Sequence, residues 1–150
     1  MQLKLPPILI MIIFGVLMYL CSLILPVGYF SFFGRPYLIY FLIGLACVIG
    51  IWSLIQFYSN KTTVNPLELD KVSTLVSSGL YQYSRNPMYL AMLLLLLAWG
   101  LWLGNAFNTI IAAGFVYYMN AFQIEPEEKV LLKMFGKEYK EYCTLVRRWF

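Results

Sequence analysis

Four long apolar runs, joined by short polar segments, dominate the pattern of hydrophobic and polar positions along the chain. They cover residues 7–25, 37–58, 87–103 and 106–124. A helix of about 20 residues crosses the ~30 Å hydrocarbon layer of a bilayer, so the first two runs predict transmembrane helices of comfortable length. The last two are shorter, and Gly100, Gly104 and Asn105 between them predict the tight turn of a helical hairpin rather than a GxxxG dimer face. The pattern therefore predicts an all-α, polytopic membrane protein with about four transmembrane helices.

The basic residues are distributed unevenly about these four predicted spans. With the amino terminus in the cytoplasm, Arg35 alone lies outside, and the inner side holds ten basic residues: Lys4, Lys61, Lys71, Arg85, Lys129, Lys133, Lys137, Lys140, Arg147 and Arg148. All seven acidic residues lie on the same inner side: Glu68, Asp70, Glu125, Glu127, Glu128, Glu138 and Glu141. No small-x-small cleavage site follows the first run, which we interpret as a retained span. The positive-inside rule then favours cytoplasmic termini, and a cytoplasmic site, in the cell inner (plasma) membrane.

Composition supports the membrane assignment and argues against several kinds of functional site. Of the 150 residues, 61% are hydrophobic and 12% charged, whereas a soluble domain carries about 25% charged residues. The net charge of +4 belongs to the inner loops, so nucleic acid is not expected as a partner. Histidine is absent and Cys21, Cys47 and Cys143 lie far apart. We therefore expect no metal site, no disulfide framework and no Ser-His or Cys-His nucleophile. The oligomeric state stays open.

Residues 75–89 form a polar segment between apolar runs and are the first place where chemistry is expected. They end a long inner loop, 60–84, and a loop of this length between compact elements is more often functional than idle. Asn86-Pro87 predicts a helix start, because proline at a first helical position gives up only an N–H that has no intrahelical partner. The N–H groups of that turn suit a carboxylate or a phosphate. Taken singly, Arg85 is most often a positive-inside anchor, and the tyrosines nearby suit the aromatic belt of a membrane interface.

A second polar segment follows the fourth run. Residues 125–128, Glu-Pro-Glu-Glu, have the marks of a helix start, with an early proline and carboxylates near the positive end of the helix dipole. Dipole compensation alone would account for the glutamates. Apolar side chains then recur at three- and four-residue steps, at Leu131, Met134, Phe135, Tyr139 and Tyr142. This predicts an amphipathic helix at the cytoplasmic interface, followed by a basic aromatic tail, 147–150, that suits lipid headgroups.

The order and spacing of these motifs are more specific than any one of them. Leu75-Val76-x-x-Gly79-x-Tyr81 and Arg85-Asn86-Pro87-Met88-Tyr89 precede the apolar hairpin; Glu127-Glu128-x-x-Leu131, Phe135-Gly136-x-x-Tyr139-x-x-Tyr142 and Val146-Arg147 follow it. Over residues 62–149 this order resembles the isoprenylcysteine carboxyl methyltransferase family and its prokaryotic relatives. Members of that family are multi-span membrane enzymes that use S-adenosylmethionine. They hold it between the cytoplasmic loop, the last helical hairpin and the carboxy-terminal helix.

The resemblance implies a cofactor pocket built from both polar segments. It places around the cofactor Ser73, Thr74, Leu75, Val76, Tyr81, Asn86, Pro87, Met88, Tyr89, Glu127 and Glu128. It implies Glu127, Arg85 and Asn86 as the catalytic residues, with Glu127 as the acidic cofactor contact. The chain is then one membrane-embedded methyltransferase-like domain, 1–150. Its two N-terminal spans lie in 1–58, and the cofactor-binding loop, hairpin and C-terminal helix lie in 59–150.

Two positions depart from the family pattern. The family's Arg-His-Pro-x-Tyr is Arg-Asn-Pro-Met-Tyr here, and Asn86 can form hydrogen bonds but cannot carry the proton or charge of a histidine. Gln123 stands where the isoprenylcysteine enzymes have an arginine associated with the substrate carboxylate. We therefore take Gln123 as the candidate substrate residue and leave the acceptor open among a carboxylate, an amine and a thiol.

The leading hypothesis is an S-adenosylmethionine-dependent methyltransferase acting on a small lipophilic or membrane-held acceptor. The two departures motivate an alternative, a catalytically inactive membrane scaffold or lipid-binding protein with the same fold. A small transporter is a third reading. No charged residue lies in any of the four apolar runs, whereas ion-coupled carriers usually place ionisable groups at mid-membrane, which argues against transport.

Overall fold

The computed structural model describes residues 5–25, 27–59 and 75–150 and is helical throughout these ranges, apart from turns and one isolated β-bridge between Tyr29 and Asn105. Within these ranges the α-helices are α1 (Pro7–Ile24), α2 (Arg35–Ser59), α3 (Pro87–Leu103), α4 (Asn108–Met119) and α5 (Glu125–Leu145). A 3₁₀ turn (Gly79–Gln82) precedes α3, and a π-helical turn (Asn120–Ile124) joins α4 to α5. The all-α prediction is confirmed, and the four predicted runs coincide with α1 to α4 and the π turn.

Successive helices α1 to α4 run in alternating directions, which gives the bundle two distinct ends. At one end, called the Glu127 end, the π turn meets the start of α1 through the Gln123 amide, which donates to the Leu5 carbonyl. At the opposite end, called the Arg35 end, the Asn105 amide of the α3–α4 turn donates to the Leu25 carbonyl just after α1. Every residue that the sequence singled out for chemistry, and that the structure describes, lies toward the Glu127 end.

An apolar core formed by α1, α3 and α4 holds the bundle together. Its buried side chains include Met18 of α1, Leu96 of α3 and Phe115 of α4. The Phe14 ring meets the Phe115 ring edge-on, with 5.6 Å between centroids, an arrangement that aromatic pairs favour. Helix α2 packs along α3, so α3 is the central helix and its first turn is held from several sides.

Large apolar side chains cover the outward faces of α1 and α2. Ile24 is 73% exposed and Tyr37 is 76% exposed. Soluble monomers rarely expose contiguous apolar patches of more than a few hundred Å². Both helices are long and apolar enough to cross a membrane, and α3 is a shorter apolar helix. These faces suit the lipid environment that the sequence predicts.

The turn between α3 and α4 forms where the glycines predicted it. Gly104 ends α3 with φ of +69°, and its N–H donates to the Gly100 carbonyl. Glycine is favoured there because other residues avoid the left-handed region. The Arg35 guanidinium covers this turn and donates to the carbonyls of Leu101 and Trp102, which are among the carbonyls that a helix end leaves without a partner.

The predicted helix start at residues 125–128 is confirmed as the start of α5, but the chain that leads into it is already helical. The backbone stays helical through the π turn, and the Glu125 N–H donates to the Asn120 carbonyl five residues earlier. Pro126 explains the wide turn: in a regular α-helix its ring would press on the carbonyl of residue 122. A proline with flanking acidic residues is here the local sequence signal of both a helix start and a π turn.

Helix α5 is amphipathic as predicted but bends at one residue. Gly136 adopts φ of +51° and ψ of −113° inside the helix, which strongly favours glycine. Beyond the bend, Tyr139 and Tyr142 are buried against the segment that precedes α3. The bend thus turns the last part of α5 toward the 3₁₀ turn.

Candidate functional site at the start of helices α3 and α5

A hydrogen bond between Tyr89 and Glu127 joins the first turn of α3 to the start of α5. The Tyr89 hydroxyl donates to Glu127 Oε1 at 2.5 Å. Pro87 begins α3 with Asn86 as its N-cap residue, which confirms the predicted helix start and fixes Tyr89 two residues later. Two residues that the resemblance placed at the cofactor are therefore in direct contact.

Glu127 titrates near neutral pH. Burial raises the pKa of Glu127 to about 7, the hydrogen bond from Tyr89 opposes that rise, and the Glu128 carboxylate adds to it. A cation close to this carboxylate would favour its charged form and lower the pKa again. Carboxyl groups with such shifted pKa values are concentrated at functional sites, although structural networks also produce them.

Glu128 is held by two arginines. Arg148 donates from Nε to Glu128 Oε1 at 3.0 Å and from Nη2 to Oε2 at 2.7 Å, a bidentate pair that hydrogen-bonds more strongly than a neutral contact. Arg85 Nη2 lies 3.2 Å from Glu128 Oε1. The hydrogen bonds with Glu128 raise the pKa of Arg148. Glu128 is thus compensated by neighbouring positive charge, whereas the adjacent Glu127 meets the neutral phenol of Tyr89.

Arg85 has a hydrogen-bond donor that the described residues do not use. Its Nε is buried and has no hydrogen-bond partner among the described residues. Its backbone N–H donates to the Arg147 carbonyl at 2.9 Å, so the guanidinium is carried by a segment that is itself fixed. A buried donor without a partner costs free energy, and an anionic ligand group would relieve that cost.

Tyr81 and its neighbours form the wall beside this cluster. Burial, Tyr142 and Glu127 all raise the pKa of the Tyr81 phenol, which places it within electrostatic reach of Glu127. The Tyr142 hydroxyl donates to the Tyr81 carbonyl at 2.6 Å. Leu75 and Val76 pack with Tyr81 and Tyr142 in one apolar cluster. The tyrosines thus serve as packing residues as well as candidates for the site, and the bend at Gly136 brings them together.

A clasp between Gln56 and the 3₁₀ turn was missed by sequence reasoning. Gln56 Nε2 donates to the Ser78 carbonyl and its Oε1 accepts from the Leu80 N–H, each at 3.1 Å. Gly79 between them has φ of +60°, and a Cβ there would lie 1.7 Å from Gln56 Nε2. The available signal was an amide side chain near the end of the second apolar run and a glycine in the polar segment that follows.

Asn86 points to the carboxy-terminal tail. Its Nδ2 donates to the Arg148 carbonyl at 3.0 Å and does not cap α3. The Trp149 indole donates to Asn120 Oδ1. The interpretation of 147–150 as a tail facing lipid headgroups is therefore wrong for Arg148 and Trp149, whose polar groups bind within the protein, while Arg147 and Phe150 are exposed.

Gln123 lies in the π turn and is almost fully buried, at 1% exposure. Its Nε2 donates to the Leu5 carbonyl at 2.6 Å, and its Oε1 has no hydrogen-bond partner among the described residues. Part of its hydrogen-bonding capacity therefore holds the start of α1. The remaining oxygen is an acceptor one helical turn before Glu127.

The other predicted site residues are distributed as follows. Pro87 is buried and Met88 half-buried in the first turn of α3. Ser73 and Thr74 lie outside the described residues. An open cavity of about 380 Å³ adjoins the Tyr81 wall and is lined in part by Leu75, Gln82, Glu138 and Tyr142.

Comparison with known proteins bears on this arrangement. A family model described as phospholipid methyltransferase matches residues 35–138, a range that includes α2, α3, α4, the π turn, Tyr89, Glu127 and Glu128. The chain belongs to the phospholipid methyltransferase family. Its family is therefore one of membrane methyltransferases. The contacts described above show how the two polar segments are arranged in this member of the family.

Two relatives extend the comparison. An uncharacterized protein of Haemophilus influenzae is 50% identical over 62 residues, which are 41% of this chain and 98% of that protein. The protein-S-isoprenylcysteine O-methyltransferase of Dictyostelium discoideum is 37% identical over 91 residues, which are 56% of this chain. The match spans only 35% of the Dictyostelium enzyme. It supports the resemblance to isoprenylcysteine methyltransferases. No solved structure matches the chain significantly.

Proposed function

We propose that the protein is an S-adenosylmethionine-dependent methyltransferase embedded in the membrane, with a small lipophilic or membrane-held acceptor. The observation that carries the proposal is the Tyr89–Glu127 hydrogen bond beside the Arg85–Glu128–Arg148 cluster. It joins the two polar segments that the resemblance to isoprenylcysteine carboxyl methyltransferases implies as the cofactor pocket. The family assignment supports methyl transfer as the reaction.

The chemistry of the side chains fits this cofactor, whose sulfonium supplies the methyl group. Glu127 offers a carboxylate for its positive charges, and the buried Arg85 Nε offers a donor for its carboxylate. Tyr81 and Tyr89 offer aromatic surface, which attracts cations through the ring quadrupole. Glu128 is already paired with arginines. Glu127 is therefore the carboxylate that is available to bind the positive charge of the cofactor.

These residues would act by orientation and by exclusion of water. Orientation of two reactants can supply about 7–11 kcal/mol of a barrier, and a site partly closed by Tyr81, Tyr89 and α5 limits access of water to it. The chain contains no histidine, so no imidazole base takes part. Arg85 and Asn86 belong to the fixed frame around Glu127, and Gln123, one turn earlier, is proposed beside the methyl acceptor.

The proposed topology has four spans with both termini and the site in the cytoplasm. The alternating directions of α1 to α4 support it, as does the ratio of ten inner basic residues to one outer basic residue. A lipophilic acceptor would then reach Glu127 sideways from the bilayer while the soluble cofactor arrives from the cytosol. The cell inner membrane, with the bilayer itself and the lipid-held acceptor as partners, suits this arrangement.

Methyl transfer to a lipid acceptor can be tested directly. Purified protein in vesicles of membrane lipid extract is incubated with methyl-labelled S-adenosylmethionine, and label is counted in the organic extract. We expect extractable label with the wild type and none with Glu127→Ala. Label that never leaves the aqueous phase with wild-type protein that binds the cofactor would contradict a lipid acceptor.

An inactive scaffold or lipid-binding protein remains the second candidate, and one observation favours it. Asn86 and Gln123, the two departures from the family pattern, both use their amides to hold backbone carbonyls. Residues given over to packing are expected where catalysis has been lost. Failure of the folded protein to bind S-adenosylhomocysteine would select this candidate.

A further inference from the structure

The carboxy-terminal tail, residues 147–150, returns across the site and is held through three of its residues. The Arg147 carbonyl accepts from the Arg85 N–H at 2.9 Å. The Arg148 carbonyl accepts from Asn86 Nδ2 at 3.0 Å and from Ser84 Oγ at 3.3 Å. The Trp149 indole donates to Asn120 of the π turn. The tail therefore bridges the residues that precede α3 and the turn that leads into α5.

These attachments decide where the Arg148 guanidinium lies. With its carbonyl held by Asn86, the Arg148 side chain reaches Glu128 in bidentate geometry and comes within 3.6 Å of Glu125. An arginine on a loose chain end loses much conformational entropy when it forms such a pair, and exposed pairs of that kind contribute little. Fixing the backbone beforehand removes part of that cost.

We propose that Asn86 is a positioning residue that acts through Arg148. Its amide holds the tail so that Arg148 stays on Glu128 and Glu127 remains the carboxylate that meets the cofactor's positive charge. The inference rests on the proposed function. It gives Asn86 a role that requires a hydrogen-bond donor and no ionisable group.

The donor requirement separates the possible residues at position 86. Asparagine and histidine both offer an N–H, whereas an ionised aspartate of the same shape as asparagine offers only acceptors. Aspartate would face the Arg148 carbonyl oxygen with a second acceptor and repel it. Asn86→Asp is therefore the sharpest change, and Asn86→His is the matched rescue.

Release of Arg148 would also alter the titration of Glu127. The groups that face Glu127 are the Tyr89 phenol of α3, the Tyr81 phenol of the 3₁₀ turn and Glu128 on its own helix, with Arg85 and Arg148 against Glu128. With Arg148 gone, the Glu128 carboxylate acts more strongly on its neighbour. The pKa of Glu127 then rises further. As pH falls, Glu127 is protonated, and binding of a cationic ligand is lost, at a higher pH than in the wild type.

The first readout is attachment of the tail, measured by the rate at which trypsin cleaves after Arg147 and Arg148 in intact protein. Proteases act on chain ends that are free to extend. We expect Asn86→Asp to raise this rate about tenfold, the effect of roughly 1.4 kcal/mol from one lost hydrogen bond and added repulsion. Asn86→His should match the wild type. An unchanged rate in Asn86→Asp would overturn the inference.

The second readout is the dissociation constant of S-adenosylhomocysteine between pH 6 and pH 9. We expect weaker binding in Asn86→Asp and wild-type binding in Asn86→His. Arg148→Ala should move the acid limit of binding to higher pH, while Arg147→Ala, which removes an exposed charge one residue away, should leave it in place. A purely structural role for the tail would not shift this limit.

The outcomes distinguish the inference from the function on which it rests. If the wild type binds no S-adenosylhomocysteine, the proposed function fails and the inference falls with it. If the wild type binds and Asn86→Asp, with its tail released, binds equally well, the inference alone is overturned. Should Asn86→Asp not fold, Asn86→Ala removes the donor to the Arg148 carbonyl without adding a second acceptor and is judged by the same two readouts.

Discussion

The two ends of the helical bundle use their charged side chains differently. At the Arg35 end, the guanidinium binds backbone: Arg35 donates to the carbonyls of Leu101, Trp102 and Phe30, and beside it the Asn105 amide donates to the Leu25 carbonyl. At the Glu127 end, acidic side chains bind other side chains, as in Tyr89–Glu127 and Arg148–Glu128. Backbone carbonyls at helix ends require partners in any fold. Paired side chains with shifted pKa values can instead exchange their protein partner for a ligand. We therefore expect the Arg35 end to supply stability and the Glu127 end to hold the chemistry.

Removal of the Glu127 charge should produce the largest effect and the clearest separation of stability from binding. The folded pKa of about 7 exceeds the ordinary value of 4.5. Between these pH values the unfolded chain releases a proton that the folded protein keeps, so stability falls as pH rises through this window. Glu127→Gln escapes this cost and still accepts from Tyr89. At pH 8 we expect it to be more stable by up to about 3 kcal/mol while binding S-adenosylhomocysteine poorly.

Denaturation of Glu127→Gln and wild type in detergent at pH 4 and pH 8 checks this prediction. The pH-dependent difference should nearly vanish at pH 4, where the carboxyl is mostly protonated in both states. Glu141→Gln, an exposed position on the same helix, serves as the control and should show no such dependence. A wild type more stable than Glu127→Gln at pH 8 would contradict the shifted titration of Glu127.

Loss of Arg35 should reduce stability without touching binding. Arg35→Ala leaves the last carbonyls of α3 without their charged donor, which we expect to cost about 2–3 kcal/mol in the free energy of unfolding. Arg35→Lys keeps the charge with one point of contact and should fall between. The free energy of unfolding and the dissociation constant of S-adenosylhomocysteine, measured on the same samples, test this prediction. Weakened binding with an unchanged midpoint would place Arg35 in the site and remove the contrast between the ends.

A methyl group on Gly79 should have a smaller effect on both properties. Gly79→Ala forces an L side chain into φ of +60° and against Gln56, which we expect to cost about 1–2 kcal/mol and to weaken cofactor binding several-fold by moving the Tyr81 wall. Gly44→Ala is the matched control, since a Cβ at Gly44 of α2 meets no atom within 4 Å. Wild-type affinity in Gly79→Ala would show that the clasp does not support the site.

Asn86→His should have the smallest effect of all. A histidine offers a donor to the Arg148 carbonyl, so stability should stay within about 0.5 kcal/mol of the wild type and cofactor affinity within about twofold. Thermal unfolding and binding titration measure both. Misfolding of this variant would indicate that the surroundings of residue 86 have been rebuilt around asparagine.

Local patterns predicted the elements of this fold well. The four apolar runs became helices, Asn86-Pro87 began α3, and Gly104 ended it in a left-handed turn. These features depend on residues close in sequence, because hydrophobic length, proline geometry and glycine conformation act within a few positions. The resemblance implied that Tyr89 and Glu127 both line the cofactor pocket; the structure shows them hydrogen-bonded to each other, and their role at a cofactor stays a prediction.

Features that depend on distant contacts were not predicted. The π turn at residues 120–124 has the same local signature as a helix start, and only continuity with α4 distinguishes the two. The Gln56–Gly79 clasp joins residues more than twenty positions apart. The inward direction of Arg148 is set by Asn86 and Glu128, and composition alone suggested lipid headgroups. Each of these needs knowledge of which segments lie side by side.

Calorimetric titration of the detergent-purified protein with S-adenosylhomocysteine, repeated with Glu127→Ala, tests the central claim most directly. Glu141→Ala on the same helix is the control for a lost carboxylate. We predict micromolar binding by the wild type and by Glu141→Ala, and no binding by folded Glu127→Ala. Absence of binding by folded wild-type protein, or equal binding by Glu127→Ala, would contradict a cofactor site at the Glu127 end.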